Sequence, residues 1–273
     1  MVRGALVGIC AVLVAAAAAG CGGTGSAAPE TTIRQLRQFR ILFPEGFTRA
    51  QMVARVTAVA KIAEHEAHRK VKVSGNAYSA ATGRPRTVPG FGSKKLPLEG
   101  FLFPDTYDFD RKSTSAQLVR NQLGEFTSKW SRLNLSYARS KNLTPYDVLT
   151  IASMVEGEAQ VPSERPLVAA VIYNRLHAQM PLGIDATLRY GLHIPPTESL
   201  TQSELHDPTP YNTRVHDGLP PTPINNPGTA ALEAAANPAK VDYLYFVRKP
   251  DHKHHYFTAN YQDFLQHEAE YGY

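Results

Sequence analysis

The run Thr144-Pro-Tyr-Asp-Val-Leu-Thr-Ile-Ala-Ser-Met-Val-Glu-Gly-Glu-Ala159 sets the reading of the chain. Thr144 can cap a helix, Pro145 suits its first position, and Asp147 places a carboxylate in the first turn, where the helix dipole favours it. Val148, Leu149, Ala152 and Val155 recur at helical spacing and mark a buried face. At about 100° per residue Glu156 falls between Leu149 and Ala152, inside the edge of that stripe. A carboxylate carried into an apolar groove either finds a partner or keeps its proton, because desolvation raises its pKa. Two roles therefore stand open for Glu156: a protonated acid poised for proton transfer, or a structural ion pair closing the helix. The helix alone favours the ion pair.

Outward from this helix, Ser163-Glu-Arg-Pro166 opens another, with proline tolerated in the first turn. Leu167, Val171 and Asn174 share a face there, so Asn174 points toward the core and must tie a neighbouring loop or meet a ligand. Thr201-Gln-Ser-Glu204 reads as a capping box. Residues 207–228 are rich in proline and poor in periodicity, and a loop of that length is usually functional. Thr229 is expected to cap a helix to Ala236, and residues 242–247 form a strand that pairs with 255–258. A last helix starts at Tyr261. Upstream, residues 113–133 form an amphipathic helix, 70–95 a basic loop with at most one short helix, and 39–46 a strand and turn. Thr48 caps a helix over 49–68, with Met52, Val53, Val56, Val59, Ala60 and Ala63 as its stripe.

The 273 residues, 43% hydrophobic and 19% charged, describe a foldable globular chain with room for one large or two smaller domains. The net charge of +5 suits an anionic membrane or wall surface. No Lys/Arg face interleaved with aromatics points to nucleic acid. Residues 1–21 read as an export signal or membrane anchor, with a basic start, an apolar run over 5–19 and Ala18-Ala19-Gly20-Cys21 at its end. Small residues before Cys21 resemble a lipoprotein cleavage site, so a lipid on Cys21 and an uncleaved helix are the two anchors considered. A linker is expected over 22–38. Both cysteines, Cys10 and Cys21, lie in the leader, which leaves the folded part without a disulfide framework, a CxxC metal site or a thiol nucleophile.

The remaining chemistry narrows to carboxylates. His252, His254 and His255 lack metal-ligand geometry and read as exposed turn residues. No GxSxG elbow and no phosphate-cradling loop is present. No metal or cofactor is expected. Glu156 and Glu158 lie about 160° apart on a regular helix and cannot face one another across a bond. A two-carboxylate glycosidase would need a partner roughly 5 to 10 Å from the acid, and Asp185, Glu99 and Asp105 are equal candidates for it. Lytic transglycosylation needs one group alone, acting first as acid and then as base.

Ala152-Ser-Met-Val-Glu-Gly-Glu-Ala159 resembles the catalytic motif of the YceG-like family of endolytic murein transglycosylases. So do Leu98-Glu-Gly-Phe-Leu-Phe-Pro-Asp-Thr-Tyr107, Ser163-Glu-Arg165, Val171-Ile-Tyr-Asn-Arg-Leu176, Leu182-Gly-Ile-Asp-Ala-Thr187, Tyr211-Asn-Thr213, Gly218-Leu-Pro-Pro221, Asn226-Pro-Gly228 and Tyr243-Leu-Tyr-Phe-Val247. These motifs run in order over about 96–264. The resemblance implies cleavage between N-acetylmuramic acid and N-acetylglucosamine within nascent glycan strands, leaving 1,6-anhydro ends. It makes Glu156 the catalytic residue and Glu158, Asn174, Asp185, Thr187, Tyr211 and Asn212 substrate contacts. The implied fold is α+β: a mainly helical, lysozyme-like catalytic domain with a small β element over 96–273, preceded by a reduced LysM-like module and loop over 39–95. Peptidoglycan strands, the cytoplasmic membrane through the N-terminus, and peptidoglycan synthases are the implied partners. The catalytic domain is expected outside the membrane. A non-catalytic wall-binding lipoprotein and a muramidase-type hydrolase using Asp185 are the competing readings.

Overall fold

The computed structural model describes residues 37–272. The expected leader over 1–21 and nearly all of the linker over 22–38 lie outside them. No helix among the described residues is long and apolar enough to cross a membrane.

The chain enters through β1 (Phe39–Leu42), whose alternate residues Phe39 and Ile41 are buried. A turn leads to α1 (Arg49–Ala67), closed by a capping box between Thr48 and Gln51 and burying Met52, Val56, Ala60 and Ala63. The short helix α2 (Gly75–Thr82) follows, and then β2 (Thr106–Phe109), which pairs antiparallel with β1 so that Ile41 faces Tyr107. Helix α3 (Ser115–Trp130) carries a second capping box, Thr114 with Gln117, and packs on α2. The expected module over 39–95 thus shares a core and a sheet with residues beyond 96. The described residues form one compact unit.

After the single-turn α4 (Ser136–Ser140) comes α5 (Pro145–Glu158), started by Thr144, Pro145 and Asp147 as a capping box with proline in the first turn. One buried stripe was expected, but every residue from Val148 to Val155 is buried. The helix is enclosed by α6 (Arg165–His177), α7 (Asp185–Leu192) and α9 (Thr229–Ala236), so it has no solvent face along its middle. Its two buried hydroxyls are satisfied locally: Thr150 donates to the Tyr146 carbonyl (2.9 Å) and Ser153 to the Thr150 carbonyl (2.7 Å). Between α7 and α9 the chain makes the one-turn α8 (Gln202–Leu205), then the irregular segment over 207–228. Gly228, not Thr229, is the N-cap of α9. The chain closes with the antiparallel hairpin β3 (Tyr245–Arg248) and β4 (His255–Thr258) and with α10 (Tyr261–Tyr271), which packs on both strands. With its many helices and two small sheets, the fold is α+β.

Gly100 marks where the loop before β2 meets the loop before α9. Its φ is +89°, and an added Cβ would lie 2.7 Å from Cβ of Pro223. Gly100→Ala combines left-handed strain with overlap against a ring that cannot swing aside. It is expected to cost about 2–4 kcal/mol, read as a lower midpoint in denaturant at unchanged slope.

Candidate active site

A cleft of about 1490 Å³ runs from the turn before α1, past the C-terminal end of α5, to the β3–β4 hairpin and α10. Gly46, Thr48, Glu99, Glu156, Glu158 and Asp185 are among the residues on its wall. The last turn of α5 delivers two carboxylates into it, on opposite sides of Gly157. An added Cβ at Gly157 would come 3.0 Å from Cβ of Ala186, so a glycine there lets α7 approach closely.

Glu156 has a side chain only 7% exposed. Its Oε2 accepts the Gly228 N–H (3.0 Å), and its Oε1 lies 3.5 Å from Nη2 of Arg165. The same Nη2 lies 4.0 Å from Oε2 of Glu45, and an added Cβ at Gly228 would overlap the Glu45 carboxylate. One guanidinium therefore stands between two carboxylates. Gly46 passes beside Glu156, where an added Cβ would be 3.6 Å from its Cγ. Burial raises the pKa of Glu156, and the charge of Glu45 raises it further; the Gly228 N–H and Arg165 oppose them. The result is a carboxyl held above its ordinary range, with one backbone donor aimed at it.

Glu158 faces the other way, as helix geometry requires. It accepts the Ala186 N–H at the start of α7 (3.2 Å), and burial, then the charge of Asp185, raises its pKa. Asp185 is bound by Nη2 (2.6 Å) and Nε (3.1 Å) of Arg214. Glu99, buried, accepts from the Arg49 N–H (2.8 Å), the Tyr190 hydroxyl (3.0 Å) and the Asn226 amide (2.9 Å). Burial pushes its pKa up to about 7 against those three donors. Asp105 is exposed and accepts the Thr106 N–H (2.7 Å), away from the cleft wall.

Four expected substrate contacts are not on that wall. Asn174 donates both to the Val241 (3.0 Å) and Tyr243 (2.9 Å) carbonyls, which ties down the entry to β3. Asn212 is fully buried; its amide donates to the Leu205 and Asp207 carbonyls, and its oxygen accepts the Arg214 N–H. Thr187, also fully buried, bonds the Ile184 carbonyl (2.7 Å) and the Thr213 hydroxyl (3.0 Å). The Tyr211 hydroxyl meets that of Thr222 (2.9 Å), and its ring packs edge-on against Tyr190. Thr187, Tyr211 and Asn212 thus bond within or beside the segment over 207–228, and Asn174 bonds the approach to β3.

His255 is a further correction. His252 and His254 are exposed, but His255 begins β4 and is turned inward, 5% exposed, with Nδ1 2.8 Å from Glu164 Oε2. Its place at the start of β4, against Glu164, puts it there.

Glu45 and Arg165 are the functional candidates that sequence reasoning left out. Arg165 sat in a quoted motif as a helix-start residue, and Glu45 in a turn as far as any from α5. Asn225 is another: it donates to the Ser153 carbonyl (2.8 Å), lines the cleft, and keeps a buried Oδ1 without a partner among the described residues.

Comparison with known proteins places the chain in a family. The sequence profile of the YceG-like family matches residues 24–270. An endolytic murein transglycosylase of Bacillus subtilis is 38% identical over 157 residues, covering 57% of this chain and 43% of that protein. One of Streptococcus pneumoniae is 36% identical over 178 residues, covering 63% of this chain and 32% of that protein. The chain thus spans less than half the length of either relative. The crystal structure of a YceG-like protein of Listeria monocytogenes superposes with a TM-score of 0.66 at 28% identity, covering 83% of this chain and 74% of that one. The chain belongs to the YceG-like family.

Proposed function

We propose that this chain is a peptidoglycan lytic transglycosylase that cuts within glycan strands, with Glu156 as acid and then base. The observation that carries the proposal is the buried Glu156 on the cleft wall, its pKa raised and its carboxylate accepting the Gly228 N–H. Protonated Glu156 gives its proton to the glycosidic oxygen as the C1–O bond of N-acetylmuramic acid breaks, releasing the 4-hydroxyl of N-acetylglucosamine. The muramic 6-hydroxyl oxygen then bonds C1 and yields its proton to the Glu156 carboxylate. No water is consumed, and the acid is regenerated. The Gly228 N–H and Arg165 hold the carboxylate during the interval in which it is charged.

The hydrolase reading would use Asp185, one oxygen of which is held by Arg214 Nε and Nη2. Product analysis on purified un-crosslinked strands tests the choice. Ends lighter by one water, the 1,6-anhydro form, are expected; reducing ends carrying added water would select hydrolysis, and unchanged strands a binding protein.

The strand–helix–helix unit over 39–95 is the reduced LysM-like module, a reading supported by its two packed helices, α1 and α2. The N-terminal segment, through a lipid on Cys21 or an uncleaved apolar run over 5–19, anchors the chain to the cytoplasmic membrane, which puts the cleft outside, alongside the synthases that make nascent strands.

Glu45 gives a pH test. Its charge raises the pKa of Glu156, and Glu156 acts as acid only while protonated, so activity falls as pH rises through that pKa. Glu45→Gln removes the charge, lowers the pKa of Glu156, and moves the alkaline limb of kcat/KM to lower pH. An unmoved limb would remove Glu45 from the mechanism.

A further inference from the structure

The proposed chemistry makes no use of the far wall of the cleft, formed by β3, β4 and α10, although that wall holds the chain's most elaborate buried polar pair. Glu164, just ahead of α6, accepts both the backbone N–H (3.0 Å) and Nδ1 (2.8 Å) of His255, with side-chain exposures of 9% and 2%. A carboxylate holding Nδ1–H fixes the ring and leaves Nε2 to accept from a hydroxyl or amide, or to donate when the ring is charged. Nε2 has no hydrogen-bond partner among the described residues, while Nδ1 is engaged by Glu164. His255 lines the cleft, with its side chain almost wholly buried there.

Beside it lies an aromatic shelf. Tyr245 packs at 5.3 Å from both Tyr261 and Phe264, Tyr261 and Phe264 are nearly parallel, and Phe246 meets His255 edge-on at 5.3 Å. All four rings line the cleft, and Tyr261 is 52% exposed, which is unusual for so large a side chain inside a groove. Ring faces beside one oriented hydrogen-bonding group form the pattern of a carbohydrate site: the apolar face of a pyranose stacks, and its amide or hydroxyl finds the polar atom. These elements give no side chain to the Glu156 centre, but Glu164 is joined directly to Arg165, which does.

We propose that His255, oriented by Glu164, and the Tyr245–Tyr261–Phe264 shelf form a saccharide subsite that binds a pyranose of the glycan strand other than those at the scissile bond. The proposal rests on the glycan reading above. It makes the hairpin and α10 a positioning surface whose contribution is to strand binding, not to bond cleavage.

The test is calorimetric titration of full-length protein carrying Glu156→Gln, which should not turn over, with un-crosslinked glycan strands. Adding Tyr261→Ala or His255→Gln is expected to raise Kd about fivefold to tenfold each, the range for one lost stacking or hydrogen-bonding contact. Glu164→Gln should match His255→Gln, and the two together should be no worse than either, because one acts through the other. With Glu156 restored, KM should rise while kcat stays within about twofold. Tyr261 is exposed, so its variant reports even if buried His255 proves necessary for folding. Unchanged Kd in Tyr261→Ala, or a fall in kcat at constant KM, overturns the subsite. Failure of the Glu156→Gln parent to bind strands at all overturns the glycan reading itself, a separate result.

Discussion

Glu156→Gln is expected to lower kcat on glycan strands by about 10²- to 10⁴-fold, the usual contribution of a positioned acid or base, and to abolish the appearance of anhydro ends. Glutamine keeps an oxygen for the Gly228 N–H but has no proton to give the leaving oxygen and no charge to take one back. The fold should remain intact. Glu156 has a raised pKa in the folded state, so its carboxyl form is the better tolerated one there, and above that pKa folding carries a cost for burying the anion. The sign follows: the stability Glu156 contributes is present at low pH and lost as pH rises through its folded pKa. A neutral amide escapes that loss, and thermal midpoints at neutral pH should be equal to or above those of the parent. Parental turnover in this variant, measured by mass spectrometry of the products, would rule out Glu156 as the proton carrier.

Asn226→Ala carries the second large effect, on stability as well as rate. The Asn226 side chain donates to the Phe47 carbonyl (2.8 Å) and to Glu99 (2.9 Å) and accepts the Leu102 N–H (2.9 Å); its backbone exchanges further bonds with Gly46 and Phe47. It is fully buried and joins the turn before α1, the loop before β2 and the loop before α9. Alanine strands the Leu102 N–H and removes one of the three donors on a buried carboxylate, at about 1–3 kcal/mol for each stranded group, so about 3–5 kcal/mol in all. Gly228, two residues on, donates to Glu156, and Glu45 is held by the turn that Asn226 clamps. A shift there moves the acid's partners, and kcat should fall further than the lost stability explains, when assayed well below the unfolding midpoint. Urea denaturation and turnover of the same preparation check both halves.

Much of the fold was written locally. The capping boxes at Thr48, Thr144 and Thr201 start helices where the residues say, because side chain and backbone are three positions apart and need nothing distant. The β3–β4 hairpin follows from two apolar runs joined by a short turn. The pairing of β1 with β2 was not legible, since more than sixty residues separate them and only a common core brings them together. The full burial of α5 was hidden for a related reason: periodicity reports one face of a helix, and a helix surrounded on all sides uses small and hydroxylated residues that satisfy themselves.

The site divides along the same line. Sequence by itself determined the end of α5 as the place of interest, excluded thiol and serine-elbow chemistry, and placed Glu156 and Glu158 on opposite sides of their helix, because helical angles are fixed by the backbone. Only tertiary structure decided what faces those carboxylates. Asn174, Thr187 and Asn212 had the composition of ligand contacts, yet each is bonded to the backbone of its own surroundings. Glu45, Arg165 and the Glu164–His255 pair carried no sequence signal of which partner each would meet, and they come together through contacts across the chain. Hydrogen-bonding capacity is a property of a residue, but which partner satisfies it depends on which backbone and side chains the fold brings within about 3 Å.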